Sequence, residues 1–349
     1  MLRTLPLPQI AIVALLLGSP NANADGWPEE VEQIAYPCSA DSSDQPALVY
    51  TAKATKESPR PLLVALHTWS GDFKQGGGQT VFARWCQQQN WHMIHPNFRG
   101  PNWTTDALGS DKAVQDIVDA VAYMQKNHAV DADRIYLVGV SGGGHASLLM
   151  AGRHPEIWAG VSAWCGISDI EAWWKQCSKT GRKYFSHIER ACGNPGESAE
   201  AKAECIKRSP LTYLQKASGV NLDISHGIND GRTGSVPFSH SLYAFDKVIV
   251  DKHREETLGG EAIEKFYKTQ VLPAGSPPAE KDPLYGDKLP IYRKTIENTR
   301  VTIFDGGHEI IHSAALNWLA VQRKGVPAVW EIKEPVDLRT DTGESESGK

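Results

Sequence analysis

Three polar residues follow apolar runs where the chain turns, and together they could carry out nucleophilic catalysis. Ser141 lies within GVSGG at residues 139–143, Asp230 follows LDISHGIN, and His308 follows VTIFDGG. A serine hydroxyl becomes an effective nucleophile when a histidine takes its proton and a carboxylate orients that histidine. The sequence therefore predicts a triad in the chain order nucleophile, acid, base.

The residues around Ser141 are suited to presenting its hydroxyl. RIYLVG at 134–139 predicts a buried strand, and the segment that follows the serine predicts a helix. A tight strand-to-helix turn leaves no room for side chains beside the serine, which accounts for the flanking glycines. The alternative is a glycine-rich turn without chemistry, or one that binds phosphate. The stretch lacks both the Lys-Ser/Thr of a phosphate-binding loop and the G-x-G-x-x-G spacing, so we favour the nucleophile.

Attack on a carbonyl would create an oxyanion, which needs backbone amides to stabilise it. The amide of Gly142 begins the predicted helix and is the first candidate donor. The second donor is expected in the loop HTWSG that follows the apolar run PLLVAL. We assign it to the amide of Trp69, with Thr68 as the other choice.

Other residues in the sequence could also serve as the acid or the base. Asn-Asp-Gly is strong turn chemistry, so Asp230 could be a turn residue only. Asp169, in GISD after the preceding strand, is the alternative acid. We favour Asp230 because it lies in the expected position between nucleophile and base. His226 ends a strand and could line the site, but it occurs too early to be the base, which we assign to His308.

HEIIH at 308–312 also matches the H-E-x-x-H pattern of zinc peptidases. That chemistry needs both histidines on one helix and a third ligand, for which Glu331 and Glu334 are candidates. Here the first histidine comes directly after a strand and two glycines, which predicts a loop or a helix start. We therefore favour the serine interpretation and expect neither a metal nor another cofactor.

These residues need a scaffold that gathers the ends of several strands. Short apolar runs predict strands buried on both faces, and stretches with helical spacing alternate with them. This alternation predicts an α/β fold with a mostly parallel, doubly wound sheet and helices on both faces. Predicted strands cover 61–67, 91–97, 134–139, 160–165, 220–226 and 301–304, and predicted helices cover 110–128, 142–151, 237–248 and 311–322.

The first residues have the form of a secretory signal peptide. Arg3 precedes a short apolar run, and Ala22-Asn23-Ala24 resembles a cleavage site, so we expect removal after about Ala24 and export to the periplasm or beyond. The apolar run is too short to span a bilayer. The expected organisation is a signal peptide at 1–24, an α/β domain at 25–330 with insertions at about 169–217 and 251–298, and a disordered tail at 331–349.

Composition narrows the possible partners. The net charge is −5 and no basic stripe occurs, so nucleic acid is not expected to bind. The six cysteines fit an exported chain with disulfides, and Cys192 with Cys205 would form a local pair. Tryptophans near the predicted strand ends could stack on sugars or aryl groups, although core packing is their commoner use. The candidates for substrate binding are Trp103, Trp164, Trp173 and Trp174.

GVSGGGHASLL, HGINDGRTGSVP and FDGGHE together resemble the three catalytic motifs of the α/β-hydrolase superfamily. The form HG-x-x-D with a following Val-Pro, and RSPLTYL at 208–214, resemble the prolyl oligopeptidase (S9) branch and its esterase relatives. The resemblance spans roughly residues 48–325. It implies Ser141 as nucleophile, Asp230 as acid and His308 as base, with the amides of Gly142 and Trp69 forming the oxyanion hole.

Prolyl oligopeptidases proper also carry a large β-propeller before this domain. The stretch between the expected cleavage site and the strand ALVY leaves no room for one, which favours an esterase. We therefore expect an exported serine esterase that works through an acyl-enzyme on a small-molecule or oligosaccharide ester, such as an acylated plant or algal sugar. The alternatives are a serine peptidase of the S9 type, a zinc peptidase that uses HEIIH, and a binding module on an inactive scaffold.

Overall fold

The computed structural model describes residues 26–277 and 279–338, which build a nine-stranded sheet covered by helices. The strands are β1 (Glu32–Pro37), β2 (Asp44–Tyr50), β3 (Arg60–Leu66), β4 (His92–Pro96), β5 (Val130–Val140), β6 (Gly160–Trp164), β7 (Leu222–Gly227), β8 (Pro290–Ile296) and β9 (Thr299–Phe304). The helices are α1 (Thr80–Gln89), α2 (Asp111–Asn127), α3 (Gly142–Arg153), α4 (Ile170–Thr180), α5 (Tyr184–Cys192), α6 (Ala199–Lys207), α7 (Ser239–Ile249), α8 (Gly260–Thr269) and α9 (His312–Ala320).

The sheet is parallel in its centre and antiparallel at its edges. Its spatial order is β1-β2-β4-β3-β5-β6-β7-β9-β8. The run from β4 to β9 pairs in parallel, whereas β2 pairs with β4, β1 with β2, and β8 with β9 in the antiparallel sense. The predicted α/β fold with a mostly parallel sheet is confirmed. Because parallel strands end at the same edge, the loops after β3, β5, β7 and β9 meet there.

The central strands bury both of their faces, which explains their continuous apolar sequences. Along β3, Leu62, Val64 and Leu66 join the core that packs against α2, α3 and α7. Leu63 and Ala65 point the other way, into the core that packs against α1 and α9. Burial of such a side chain contributes about 1.5–3 kcal/mol, so this alternation holds the strand in one register.

Helix α2 shows how sequence signals position an element. The Ser110 hydroxyl caps its first turn by accepting from the amide of Ala113 at 3.1 Å. Val114, Ile117 and Val121 then face the sheet at helical spacing and are buried. The loop before this cap, residues 97–110, is thereby held above the edge where the strand ends meet.

The two predicted insertions have different structures. Residues between β6 and β7 form α4, α5 and α6, which enclose a small core of their own around Trp173 and Ile188. The second segment, 251–298, is not only an insertion, because it includes the edge strand β8. The sequence prediction missed β8 because an edge strand is half exposed and mixes polar with apolar residues.

The expected disordered tail from Glu331 is wrong for residues 331–338. Val336 exchanges two hydrogen bonds with the Asn317 side chain, at 2.6 and 3.1 Å. The carbonyl of Asp337 also accepts from Gln88 at 3.0 Å. These polar contacts fix a segment whose charged composition alone favours disorder. Residues 339–349 lie outside the described part of the chain.

Two predictions connected with export remain predictions. The signal peptide, residues 1–24, lies outside the described residues. Cys192 and Cys205 lie side by side as thiols, and a hydrogen bond from Cys205 lowers the pKa of Cys192. Their proximity is compatible with the predicted local pair. None of the described helices has the length and apolarity needed to cross a bilayer.

Buried histidines should make the folded state sensitive to acid. Burial lowers the pKa of His95 and His240 to about 3, and that of His145 and His312 to about 4. An unfolded histidine has a pKa of about 6.5. Below that pH the unfolded chain binds more protons than the folded chain, so the free energy of unfolding falls as the pH falls.

We therefore expect the melting temperature to decrease steadily between about pH 6.5 and about pH 4, as followed by differential scanning fluorimetry. His95→Gln removes one of the titrating rings and should flatten this slope. A melting temperature that stays level over the range would contradict the assignment of these rings as buried and neutral.

Candidate active site

The predicted nucleophile lies at the sharp turn between β5 and α3. Ser141 has φ +62° and ψ −118°, a backbone conformation that residues with a side chain rarely adopt. A Cβ added at Gly139 would overlap the backbone of Gly143, which explains why both flanking positions lack side chains. This strained turn points the serine out of the strand end, at the edge where the loops meet.

The two predicted oxyanion donors are neighbours. A Cβ added at Gly142 would come within 2.5 Å of the Trp69 backbone nitrogen, so the two backbones are in contact. The alternative donor is already engaged, because the amide of Thr68 donates to Gln75 Oε1 at 2.9 Å. Asn102, which sequence analysis missed, holds the Trp69 loop by donating its backbone amide to the Trp69 carbonyl at 3.0 Å.

The predicted base and acid are directly bonded. His308 Nδ1 lies 2.5 Å from Asp230 Oδ2. The other oxygen, Asp230 Oδ1, accepts from the amides of Gly231 and Val236 at 2.8 and 3.1 Å. Burial alone would raise the pKa of Asp230, but the hydrogen bonds from His226 and His308 outweigh it and hold the pKa well below its usual range. The acid therefore stays ionised and can orient the imidazole.

A second histidine bonds the same carboxylate. His226 Nε2 lies 2.9 Å from Asp230 Oδ2, and its Nδ1 lies 2.7 Å from the Ser241 hydroxyl. If the Ser241 hydroxyl donates to Nδ1, the Nε2 proton of His226 is free to donate to the acid. From the sequence, His226 is predicted only to line the site. The four-residue spacing in HG-x-x-D was the available signal, since both residues flank one turn.

The alternative acid and the loop beside the base have separate roles. The Asp169 side chain accepts from the amide of Ala172 at 3.0 Å and caps α4, so it does not contact His308.

His308 Nε2 lies 3.5 Å from the Ser235 hydroxyl, and no hydrogen bond joins it to Ser141 within the described part of the chain. Catalytic hydrogen bonds commonly tighten only when substrate binds, so this spacing is compatible with a base.

The zinc interpretation of HEIIH lacks the helix that it requires. His308 lies in the loop before α9, and His312 is the first residue of that helix. The ring of His312 packs 5.3 Å from that of Phe82, while His308 turns to Asp230. The two histidines therefore do not present one face of a helix to a shared ion.

One buried group of donors could in principle hold a metal. Cys165 Sγ, His226 and Asp230 have ligand atoms within 4.8 Å of one another. Burial, and then the charge of Asp230, raise the pKa of the Cys165 thiol, which keeps it protonated. The histidine and the carboxylate are already bonded to each other. The cluster is thus accounted for as a hydrogen-bonded support of the acid.

Three of the four tryptophans predicted to bind substrate are used elsewhere. Trp164 is fully buried in β6 and donates to Ser162 Oγ at 2.8 Å, so the expectation that it lines a cleft was wrong. Trp173 is also buried, and Trp174 donates to Glu189 at 3.1 Å within the first insertion. Trp103 is half-buried on the loop above the Trp69 segment and remains a candidate.

The first insertion holds both loops that flank Ser141. The Trp69 indole donates to His187 Nδ1 at 3.1 Å, which ties the oxyanion loop to α5. The Trp173 indole donates to the carbonyl of Ser235 at 3.0 Å, and the Arg182 guanidinium donates to the carbonyl of Gly234. These bonds tie the acid loop to α4 and the residues that follow it. The sequence gives no local signal for these bonds, because the partners are far apart along the chain.

Comparison with known proteins now identifies the class. Residues 85–258 match the model of the prolyl oligopeptidase family, a range that includes Ser141 and Asp230. The chain belongs to the prolyl oligopeptidase-like branch of the α/β-hydrolases, as its motifs predicted. Two solved structures show the same fold, each at 16% identity with a TM-score of 0.51: an acylaminoacyl peptidase and prolyl oligopeptidase B from Galerina marginata. They cover 63% of this chain, which covers 35% and 31% of theirs.

Curated relatives include both peptidases and esterases. Dipeptidyl aminopeptidase BIII of Pseudoxanthomonas mexicana is 26% identical over 59% of this chain and 31% of its own. Feruloyl esterase B of Thermothelomyces thermophilus is 26% identical over 31% of this chain and 40% of its own. Acetylxylan esterase A of Emericella nidulans is 23% identical over 52% of this chain and 65% of its own. The chain thus spans less than two thirds of each relative. These relatives are peptidases and esterases, the two kinds of hydrolase that the motifs of this chain predict.

Loss of the second histidine should weaken the acid without removing it. In His226→Gln, the charged carboxylate of Asp230 loses the hydrogen bond that His226 Nε2 donates, and such a bond is worth about 1.5–3 kcal/mol. We expect kcat for an activated ester to fall about 10- to 100-fold with little change in KM. Steady-state kinetics and a melting curve on the same sample measure this. Unchanged kcat in a folded variant would contradict the supporting role of His226.

Proposed function

We propose that the protein hydrolyses carboxylic esters through an acyl-enzyme, with Ser141 as nucleophile, His308 as base and Asp230 as acid. The observation that carries the proposal is the strained turn at Ser141 together with the buried Asp230, whose Oδ2 lies 2.5 Å from Nδ1 of the half-buried His308. A buried carboxylate bonded to an imidazole at the mouth of such a turn has a direct chemical use, since it makes that imidazole a better base.

In the first step Ser141 Oγ attacks the ester carbonyl while His308 Nε2 takes the hydroxyl proton. The carbonyl oxygen becomes an oxyanion, which the amides of Gly142 and Trp69 stabilise. The bond to the alcohol then breaks, and the imidazolium returns its proton to the leaving alkoxide. Asp230 stabilises the imidazolium throughout and does not take its proton.

In the second step water attacks the acyl-enzyme. His308 Nε2 removes a proton from the water as its oxygen bonds to the acyl carbon, and the same two amides hold the new oxyanion. The acyl–oxygen bond to Ser141 then breaks, and Oγ recovers its proton from the imidazolium. The products are an acid and an alcohol, and every residue returns to its starting state.

The second candidate is a serine peptidase, favoured by the family match and by the aminopeptidase relative. The acyl-enzyme chemistry is the same, but the leaving group is an amine. We prefer the ester because feruloyl and acetylxylan esterases occur among the relatives. The half-buried Trp103, whose ring packs 4.9 Å from that of His187, is the tryptophan that we propose to contact the acyl or sugar group.

The proposal includes export and a carbohydrate-derived substrate. Residues 1–24 have the charge and apolar run of a signal peptide, with a small-residue site before Asp25. An exported esterase meets polymers outside the cell, so the proposed substrate is an acylated sugar or oligosaccharide, bound without cofactor.

Covalent labelling tests the nucleophile. An activated serine should gain one fluorophosphonate adduct by intact mass, because its hydroxyl attacks phosphorus as it attacks carbon. We expect labelling in the wild type and none in Ser141→Ala. Ser147→Ala, a buried serine in the same helix, is the matched control and should label like the wild type. A folded wild type that stays unlabelled would refute the triad.

The leaving group can be tested separately. We expect the wild type to hydrolyse 4-nitrophenyl acetate with a kcat/KM at least about 100-fold above that for Ala-Ala 4-nitroanilide, a difference of about 2.7 kcal/mol in transition-state binding. Both products are followed by absorbance under the same conditions. A preference for the anilide would favour the peptidase instead.

A further inference from the structure

A cavity of about 470 Å³ lies between the first insertion and the helices on the far side of the acid loop. This volume is within the range of small-molecule sites in proteins. Helix α4 forms one wall, α7 the floor and α8 the other wall. The polar and aromatic residues that line it are Asp169, Gln176, His240, Tyr243, Glu264 and Tyr267.

The cavity shares a wall with the acid loop. Pro237, which ends the loop that begins at Asp230, lines it. A Cβ added at Gly231, the residue after the acid, would lie 2.6 Å from the Tyr267 hydroxyl. On its other side the same loop carries Ser235, whose hydroxyl lies 3.5 Å from His308 Nε2. A ligand in the cavity is thus separated from the base by a single loop.

His240 offers a hydrogen-bond donor to this cavity. It is 6% exposed, and its Nδ1 accepts from the Ser168 amide at 3.2 Å. The proton of the neutral ring is therefore on Nε2, which has no partner among residues 26–277 and 279–338. Burial lowers the pKa of His240 to about 3, so the ring stays neutral. The Nε2 proton is thus available to a ligand oxygen in the cavity, which His240 lines.

The acceptors are carboxylates that are already partly used. The Asp169 side chain caps α4, where the helix dipole stabilises its charge. Glu264 accepts from the Tyr243 hydroxyl at 3.0 Å and lies 3.9 Å from Lys268 Nζ. Each can still accept from a hydroxyl group of a ligand.

The remaining polar groups suit a neutral partner. The half-buried Gln176 can donate and accept, which matches the dual character of a hydroxyl group. The rings of Tyr243 and Tyr267 add apolar faces of the kind that stack on C–H surfaces. Neutral donors, partly used carboxylates and aromatic faces together match a ring that carries several hydroxyl groups.

We infer that this cavity is a subsite for a neutral sugar ring of the substrate. The inference rests on the proposed function for its link to catalysis, because it assigns the alcohol part of the ester to the far side of the acid loop. It gives the two segments that interrupt the sheet a common role, since α4 and α8 supply the opposite walls.

Direct binding tests the subsite without relying on turnover. Ser141→Ala protein is titrated calorimetrically with xylotriose, cellotriose and maltotriose, and separately with Ala-Ala amide as a cationic probe. We expect one of the neutral trisaccharides to bind. Adding Glu264→Gln or Gln176→Leu to Ser141→Ala should weaken that binding at least about 10-fold, since the first replaces a charged acceptor with a neutral amide and the second removes a hydrogen-bonding group. Glu261→Gln, exposed on the same helix α8, is the matched control and should bind like the parent.

Absence of binding to all three trisaccharides would overturn the inference. So would equal affinity in the Glu264→Gln and Gln176→Leu proteins, or binding of the amide alone, which would assign the cavity to a cationic group. Failure of the proposed function is distinguishable. It would appear as an unlabelled wild type with fluorophosphonate, while sugar binding is measured in protein that lacks the nucleophile.

Discussion

The carboxylate of Asp230 is the buried charge on which the arrangement of the site depends. A carboxylate without solvent is stable only when every oxygen has a partner. Here two histidines and two backbone amides supply those partners. His226 and the two amides belong to β7 and the loop after it, whereas His308 belongs to the loop after β9. The requirement fixes the loop after β7 against the loop after β9, and it thereby positions the imidazole of His308.

The first insertion extends this constraint to the other side of the nucleophile. Its helices bond the acid loop through Trp173 and the oxyanion loop through the Trp69 indole. The two large indoles also lie edge to face, with ring centroids 4.7 Å apart. Trp173, which was predicted to bind substrate, is instead buried and helps to hold the catalytic loops in place. The sheet places the ends of its strands at one edge, and the helices of the insertion hold the loops that follow β3 and β7.

The position of the sugar subsite follows from the same loop. Residues 230–237 face the base through Ser235 on one side and line the cavity through Pro237 on the other, so this loop separates a ligand held there from the base. Tyr267 packs directly against Gly231, which adopts φ +82°. A bulkier residue at that position would close the contact and strain the turn. The segment 251–298, which contains both α8 and the edge strand β8, links this wall to the sheet.

The sequence by itself determined the fold class and the candidate triad. Continuous apolar runs are readable because central strands bury both faces, and the glycines around Ser141 are readable because the turn excludes side chains. Edge strands such as β8 and the ordered segment 331–338 were decided by tertiary contacts, since their own composition is mixed. The same holds for the roles of His226 and Arg182 and for the burial of Trp164. Burial and partnership between residues distant along the chain exist only after folding, whereas turn chemistry and periodicity are local.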